Sequence, residues 1–199
     1  RMLDFLATIG LGDKLALNPN AYSYFNQPYA GYTVDLPLDG AYTLQFTDSS
    51  GKHNLVYDNG SQVVITNNAN AYNPTITQLR SFLKEDSTNN LVYVSGAFDC
   101  TNYAVILHDN AEANGIRCGW VTVRFADSKI GHALNAFQTT DNGLVFVDDT
   151  GTSKGNGIDC FDNISMGYPI SQVPVFRSDS CLNASLPYVG PINTAVVFW

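Results

Sequence analysis

The sequence predicts an α+β fold in which a β-rich first part precedes two helices and a run of antiparallel strands. Three observations support this prediction. Short β-branched and aromatic runs alternate with turn residues between 41 and 66, apolar residues recur at helical spacing in 75–86 and 100–114, and strand-like runs return after Gly115. The 199 residues are enough to bury one sizeable core.

The first 73 residues are predicted to form a β-rich region packed on the rest of the chain. Residues 1 to about 35 mix short apolar pieces with Pro, Gly and Tyr, which is typical of irregular structure. Beyond them, the runs "AYTLQFTD", "HNLVYD" and "QVVIT" are separated by the turn sequences "SSGK" and "NGS". This pattern predicts an antiparallel meander.

Two helices are predicted next. The first spans Thr75 to Asp86, with Pro74 just ahead of it. The second spans Cys100 to Asn114, where Asp99 is the expected N-cap and Gly115 the expected C-terminal cap.

Strands follow the second helix in the remainder of the predicted core, residues 74–199. The runs "RCGWVTVRF", "GHALNAFQ" and "LVFVDDT" have strand character, and "TTDNG" between the last two is a strong hairpin signal. A loop-rich segment is expected after Gly155, and "SQVPVF" and "TAVVFW" are predicted as further strands.

Cys100, His132 and Asp148 are the candidate catalytic residues. A helix N-terminus favours a thiolate over a thiol, and the sequence places Cys100 there. His132 opens a strand that the hairpin brings beside Asp148 or Asp149. We expect Asp148 to face the histidine because neighbouring strand residues point to opposite faces. An imidazole oriented by a carboxylate is the base that thiol attack on a carbonyl requires.

The other histidines and cysteines fit this chemistry less well. His108 follows Cys100 by eight residues on the same helix, a rise of about 12 Å that puts the two side chains out of hydrogen-bond reach. His53 lies in a hairpin strand distant in sequence. Cys118 lies in a strand-like run with no helix terminus, and we interpret it as a core thiol.

These residues resemble the transglutaminase-like cysteine peptidase superfamily. A cysteine at a helix start, a strand opening "GHALNAF" and the passage "FVDDTG" match the superfamily's nucleophile, its His-Ala pattern and its Asp-x-Thr pattern. The passage "AEANGIRCGWV" also resembles the one that follows the superfamily's nucleophile. Leu134 and Asp149 stand where the superfamily often has Trp and Pro.

The resemblance implies a papain/transglutaminase-like core and a Cys100–His132–Asp148 triad. It implies acyl transfer from a peptide or protein amide through a thioester, with hydrolysis favoured and transamidation left open. No metal or organic cofactor is required by this chemistry. The backbone N–H of Cys100 is expected to bind the oxyanion, with a second donor near Tyr93.

Composition restricts the partners and the compartment. A net charge of −8 argues against nucleic acid, and no apolar run reaches the length of a membrane span. The abundance of Tyr, Asn, Ser and Thr, the scarcity of Lys and three N-x-S/T triplets favour an extracellular or cell-surface location, in a fragment of a longer chain. Cys160 and Cys181 are a candidate disulfide, the only pairing that leaves Cys100 free and Cys118 in its strand.

Two alternatives stay open. The fold could serve as a catalytically silent binding or adhesion domain, in which an aromatic-rich stretch between Tyr22 and Tyr32 contacts a sugar or peptide. The Asp-rich segment "DDTGTSKGNGIDCFD" contains enough oxygen ligands for a calcium ion but lacks the regular spacing of an EF-hand. The sequence leaves the oligomeric state open.

Overall fold

The computed structural model describes Tyr29, residues 31–176 and residues 190–199. These residues form a mixed structure dominated by strands, which confirms the α+β class. In chain order the elements are β1 (Tyr32–Val34), β2 (Gly40–Thr43), β3 (Gln45–Asp48), β4 (Gly51–Asn54), β5 (Val64–Asn67), α1 (Ile76–Glu85), a 3₁₀ turn (Thr88–Asn90), α2 (Cys100–Ala113), β6 (Gly119–Phe125), β7 (Gly131–Thr139), β8 (Gly143–Asp148), β9 (Cys160–Asn163), β10 (Ser171–Pro174) and β11 (Ile192–Phe198).

A seven-stranded sheet organises the molecule, in the order β1-β11-β6-β7-β8-β9-β10. All neighbouring strands in it are antiparallel except β1 and β11, which run parallel. The sheet contains strands from both sides of residue 73, because β1 joins it beside the last strand of the chain.

Both faces of this sheet are covered. Leu79 and Leu83 of α1 and Leu107 of α2 pack with Phe137 and Val147 in the core on the helical face. A second cluster on the sheet groups other strand residues, namely Val121, Val123, Leu134, Ala136, Phe146 and Val197. Each buried Leu or Val side chain contributes about 1.5–3 kcal/mol relative to an exposed one. The near-continuous burial of β6 and β7 follows from this double cover.

The β-rich region before α1 differs from the predicted meander. β3 pairs with β4, and β2 pairs with β5 around them, so that the strands form nested hairpins. Leu44 is fully buried between β2 and β3, and its backbone bonds both Leu55 and Val63. Leu44 thus separates β2 from β3, and these consecutive strands pair with different partners, β2 with β5 and β3 with β4.

Both predicted helices are present with their expected caps. The Asp99 side chain accepts a hydrogen bond from the Thr101 N–H at 2.8 Å, and the Asn102 side chain accepts one from the Asp99 N–H at 3.0 Å. The two bonds satisfy backbone donors that a helix start leaves free. Gly115 follows the helix with a φ of +75°, where a side chain would be strained.

One strand lies where only loop was predicted. β9 pairs with β8 on one side and with β10 on the other, and it carries Asp162. Among the described helices, none combines the length and the apolar character needed to cross a bilayer.

Candidate active site

Cys100 is the first residue of α2 and a half-buried, free thiol. The N–H groups of Thr101 and Asn102 bond Asp99, whereas the N–H of Cys100 has no hydrogen-bond partner among the described residues. The positive end of the helix dipole and a free backbone donor therefore meet at the sulfur.

The ring of His132 lies between Cys100 and Asp148. Its Nε2 is 2.9 Å from Oδ2 of Asp148, and His132 and Cys100 line the same cleft. An imidazole has two nitrogens, so with Nε2 occupied by Asp148 the other, Nδ1, is left for the thiol. The ring contacts Asp148 and not Asp149, in keeping with the alternation of strand side chains.

Burial and charge act in opposite directions on this pair. His132 is only 3% exposed and Asp148 only 5%. Burial alone disfavours the imidazolium, but the charges of Asp148 and Cys100 and the hydrogen bonds to both hold the pKa of His132 well above its ordinary value. Burial would raise the pKa of Asp148, yet His132 and Thr150 hold it below its usual value. An ionised pair results.

Asp148 is held in place by two further residues. Its Oδ1 accepts a hydrogen bond from the Thr150 N–H at 2.9 Å, and its Oδ2 accepts one from the side-chain amide of Gln172 at 3.0 Å. The same amide nitrogen donates to Oδ1 of Asp162 at 2.9 Å. Both amide hydrogens of Gln172 are therefore engaged by carboxylates.

Asp162 is a second buried carboxyl group behind the histidine. It is 3% exposed, and its Oδ2 has no hydrogen-bond partner among the described residues. Burial, followed by the charge of Asp148, holds the pKa of Asp162 well above its usual range. Asp162 was considered only as part of the Asp-rich segment, and Gln172 was not singled out, although its strand was predicted.

The Asp-rich segment is divided between two places. Asp162 lies beside Asp148, whereas Asp149 and Asp159 contact each other. No donor among the described residues bonds either carboxylate oxygen of Asp149. Burial first, and then the hydrogen bond and charge of Asp159, raise the pKa of Asp149 well above its usual value. The two carboxyl groups thus disfavour each other's ionised form.

His132, Asp148 and Asp162 are the described residues whose grouping could hold a metal ion. One ligand atom from each lies within 4.8 Å of the others. Hydrogen bonds engage Nε2 of His132, Oδ2 of Asp148 and Oδ1 of Asp162, whereas Oδ2 of Asp162 has no partner among the described residues. The three residues therefore form one hydrogen-bonded cluster through Gln172.

A cleft of about 850 Å³ opens over Cys100 and His132. Its walls come from the nested hairpins, from the start of α2, and from β6 and the turn that follows it. Tyr93 lines this cleft, and burial, followed by the charge of Cys100, raises the pKa of its hydroxyl. The backbone N–H of Tyr93 bonds Thr152, so only the hydroxyl is left to meet a ligand.

Trp120 is a lining residue that sequence analysis did not single out. Its side chain is buried, and its Nε1–H has no hydrogen-bond partner among the described residues. A buried indole N–H normally finds a partner. The indole N–H is therefore an unpaired buried donor of a residue that lines this cleft.

The remaining candidates lie elsewhere. Cys118 is 1% exposed, and burial raises the pKa of its thiol, which fits the interpretation of a core residue. His53 and His108 each contact an aspartate, at 2.9 Å, away from Cys100. Cys160 is disulfide-bonded, and its predicted partner, Cys181, lies outside the described residues.

Part of the aromatic-rich stretch can also be placed. The hydroxyl of Tyr29 bonds the backbone of Tyr32 and Ala195, and its ring packs against Phe146. Tyr29 therefore covers an edge of the core. Tyr22, Tyr24 and Phe25 lie outside the described residues.

No protein-family model, curated protein or solved structure matches this chain. Its site is therefore interpreted from its own geometry.

Proposed function

We propose that this protein is a cysteine-dependent acyl-transfer enzyme, transglutaminase-like, that acts on amide bonds of peptides or proteins. One observation carries the proposal: the buried ring of His132 is hydrogen-bonded to Asp148 through Nε2 and lines the same cleft as Cys100, the first residue of α2. Nucleophile, base and orienting carboxylate are the three parts that thiol attack on a carbonyl needs.

In the proposed reaction, His132 already holds the proton of Cys100 as an imidazolium, and the thiolate sulfur attacks the amide carbon. The tetrahedral intermediate collapses when the C–N bond breaks, and His132 returns the proton to the leaving amine. A thioester remains on Cys100. Water or an amine then attacks this thioester, with His132 as the base, and the thiol is released. Asp148 stabilises the imidazolium at each stage.

Two donors in the cleft support oxyanion binding. The N–H of Cys100 is free at the helix start, and the indole N–H of Trp120 is unused in the wall. Such donors are most effective where water is excluded. We assign the oxyanion to these two groups in preference to Tyr93, whose backbone N–H is engaged.

The acyl acceptor and the compartment belong to the same proposal. Hydrolysis is favoured, and transfer to an amine is the variant of the same thioester chemistry. A disulfide-bonded Cys160 supports an extracellular or cell-surface location, because such bonds persist in oxidising compartments.

A peptidyl acyloxymethyl ketone tests this function, because this weak electrophile resembles an amide carbonyl and traps an activated thiol. Intact mass and peptide mapping of the folded protein should show one adduct, on Cys100. Cys118→Ser should be labelled like the wild type, and His132→Asn should be labelled at least about 10²-fold more slowly. Labelling that ignores His132, or none at Cys100, would leave the binding or adhesion domain as the better description.

A further inference from the structure

Arg124 is a cation of the cleft that the proposed reaction does not use. It lies on β6, and its side chain lines the same cleft as Cys100 and His132. Its backbone partner across the ladder is Gly131, the residue directly before His132. Cross-strand partners lie about 5 Å apart, and an extended residue spans about 3.4 Å. Arg124 therefore lines this cleft beside the start of the strand that carries His132.

The guanidinium is held in place without a counter-ion. Its central carbon lies 5.6 Å from the centre of the Phe46 ring, and that ring is itself fixed by stacking on His53 and by an edge contact with Phe198. No carboxylate among the described residues forms a salt bridge with Arg124. An aromatic face orients a guanidinium while leaving its N–H donors free.

The charge of the whole protein makes this arrangement selective. The chain carries a net charge of −8 and only ten basic residues, so an acidic ligand is repelled over most of the surface. Arg124 and Lys129 bring two of these ten residues to one cleft, where they offset the charges of Asp58 and Asp99. A fork of N–H donors matches a carboxylate better than it matches an amide or a hydroxyl.

We propose that Arg124 binds a carboxylate of the substrate, within two residues of the amide that Cys100 attacks. The substrate class is therefore a peptide with an acidic residue, or with a free terminal carboxylate, beside the reacting bond. This inference rests on the proposed function for the position of the amide, but the binding of a carboxylate in the cleft can be tested without any reaction.

Binding is measured with Cys100→Ala, which cannot react. Fluorescein-labelled peptides with an acetylated N-terminus and an amidated C-terminus, identical except for Glu or Gln at one position, are titrated by anisotropy. A third peptide carries the Gln sequence with a free terminal carboxylate. We expect either the Glu peptide or the acid-ended peptide to bind at least about tenfold more tightly than the neutral one, and the two arms distinguish a side-chain from a terminal carboxylate.

The same titrations in an added Arg124→Gln background should abolish this preference. Lys129→Gln is the matched control, since it removes an exposed cation of the same cleft that no ring holds, and it should keep most of the preference. Arg124→Lys keeps the charge but loses the planar fork, and should retain only part. Thermal melting checks that each variant is folded.

Two results overturn the inference: equal binding of all three peptides by Cys100→Ala, or a preference for carboxylate that survives Arg124→Gln. Failure of the proposed function gives a different result, namely that no ketone probe labels Cys100 of the wild-type protein. The binding measurement reports on Arg124 in either case.

Discussion

Two histidine–aspartate pairs in this protein have the same separation and different surroundings. Nε2 of His132 lies 2.9 Å from Oδ2 of Asp148, and Nε2 of His53 lies 2.9 Å from Oδ1 of Asp48. The side chains of the first pair are 1% and 7% exposed, whereas those of the second are 17% and 23% exposed. Charges attract more strongly where water is excluded, so the two equal distances represent unequal interactions.

The position of the nucleophile separates the pairs further. Ser50 stands beside the second pair, but its hydroxyl lies 3.0 Å from the same nitrogen of His53 that contacts Asp48, and it also donates to that carboxylate. His53 cannot take the serine proton at the nitrogen that the carboxylate already holds. In the first pair Asp148 engages Nε2 and leaves Nδ1 for Cys100. The comparison teaches that the use of both nitrogens, with burial, defines the candidate site.

Replacing the two histidines should give the largest contrast. We expect His132→Asn to slow the labelling of Cys100 by about 10²–10⁴-fold, because no base remains to take the thiol proton. His53→Asn should change the rate by less than about twofold. A neutral peptidyl ketone and intact mass spectrometry provide the rate constants. Equal losses in both variants would remove the distinction between the pairs.

Replacing Asp148 and Asp48 should give a second contrast between the two pairs, in the pH dependence of the labelling rate. The reactive form requires an imidazolium, so the labelling rate falls as pH rises through the pKa of His132, which lies well above 6.5. The charge of Asp148 is the largest contribution that raises this pKa. Asp148→Asn should therefore slow labelling by about 10²-fold or more. It should also move the alkaline limb of the pH–rate profile, where the labelling rate falls, to lower pH.

Asp48→Asn is the matched control for this profile. Its limb should coincide with that of the wild-type protein, since Asp48 lies with His53 in the outer hairpin. If the labelling rate of Asp148→Asn fell at the same pH as that of the wild-type protein, Asp148 would not be the group that raises the pKa of His132.

Gln172 provides a smaller and more specific test of the first pair. Its amide bonds Oδ2 of Asp148, the same oxygen that faces His132, whereas no comparable amide is bonded to Asp48. Gln172→Leu should slow labelling by about tenfold, because the carboxylate loses one of its positioning bonds. The alkaline limb should shift as well, which a loss of overall stability alone would not produce. An unchanged limb and rate would show that Thr150 and His132 hold Asp148 unaided.

Sequence analysis placed the parts of the site that depend on local signals. The N-cap of Asp99, the C-terminal glycine and the "TTDNG" turn fix α2 and the β7–β8 hairpin, and these elements carry Cys100, His132 and Asp148. Strand β9 was not predictable in this way, because its four residues gain their place from β8 and β10. Asp162 was therefore considered only as part of the Asp-rich segment, and Gln172 was not singled out.

The nesting of the hairpins also could not be predicted from the local sequence pattern. Turn residues mark where strands end, but the choice of partner depends on which side chains the core accepts, here Leu44 and Val63. The position of Phe46 under Arg124 follows from that choice. The residues of the candidate site could thus be predicted from the sequence, whereas the walls of the cleft beside them could not.

The smallest expected effect concerns Asp162, the buried carboxyl group behind the first pair. The folded-state pKa of Asp162 is raised above its unfolded value of about 3.9, so its contribution to stability is fully present below pH 3.9 and is lost as pH rises toward the folded pKa. Asn has no proton to lose, its carbonyl oxygen can accept the bond from Gln172, and it has nearly the same shape. Asp162→Asn should therefore gain stability relative to the wild type as pH rises from 4 to 8, by at most about 1.4 kcal/mol per pH unit.

Urea unfolding at four pH values measures this difference, and Asp58→Asn controls for the loss of one exposed negative charge. A difference that stays constant with pH would mean that Asp162 is ionised in the folded protein, and that Gln172 then separates two carboxylates instead of an acid and a base.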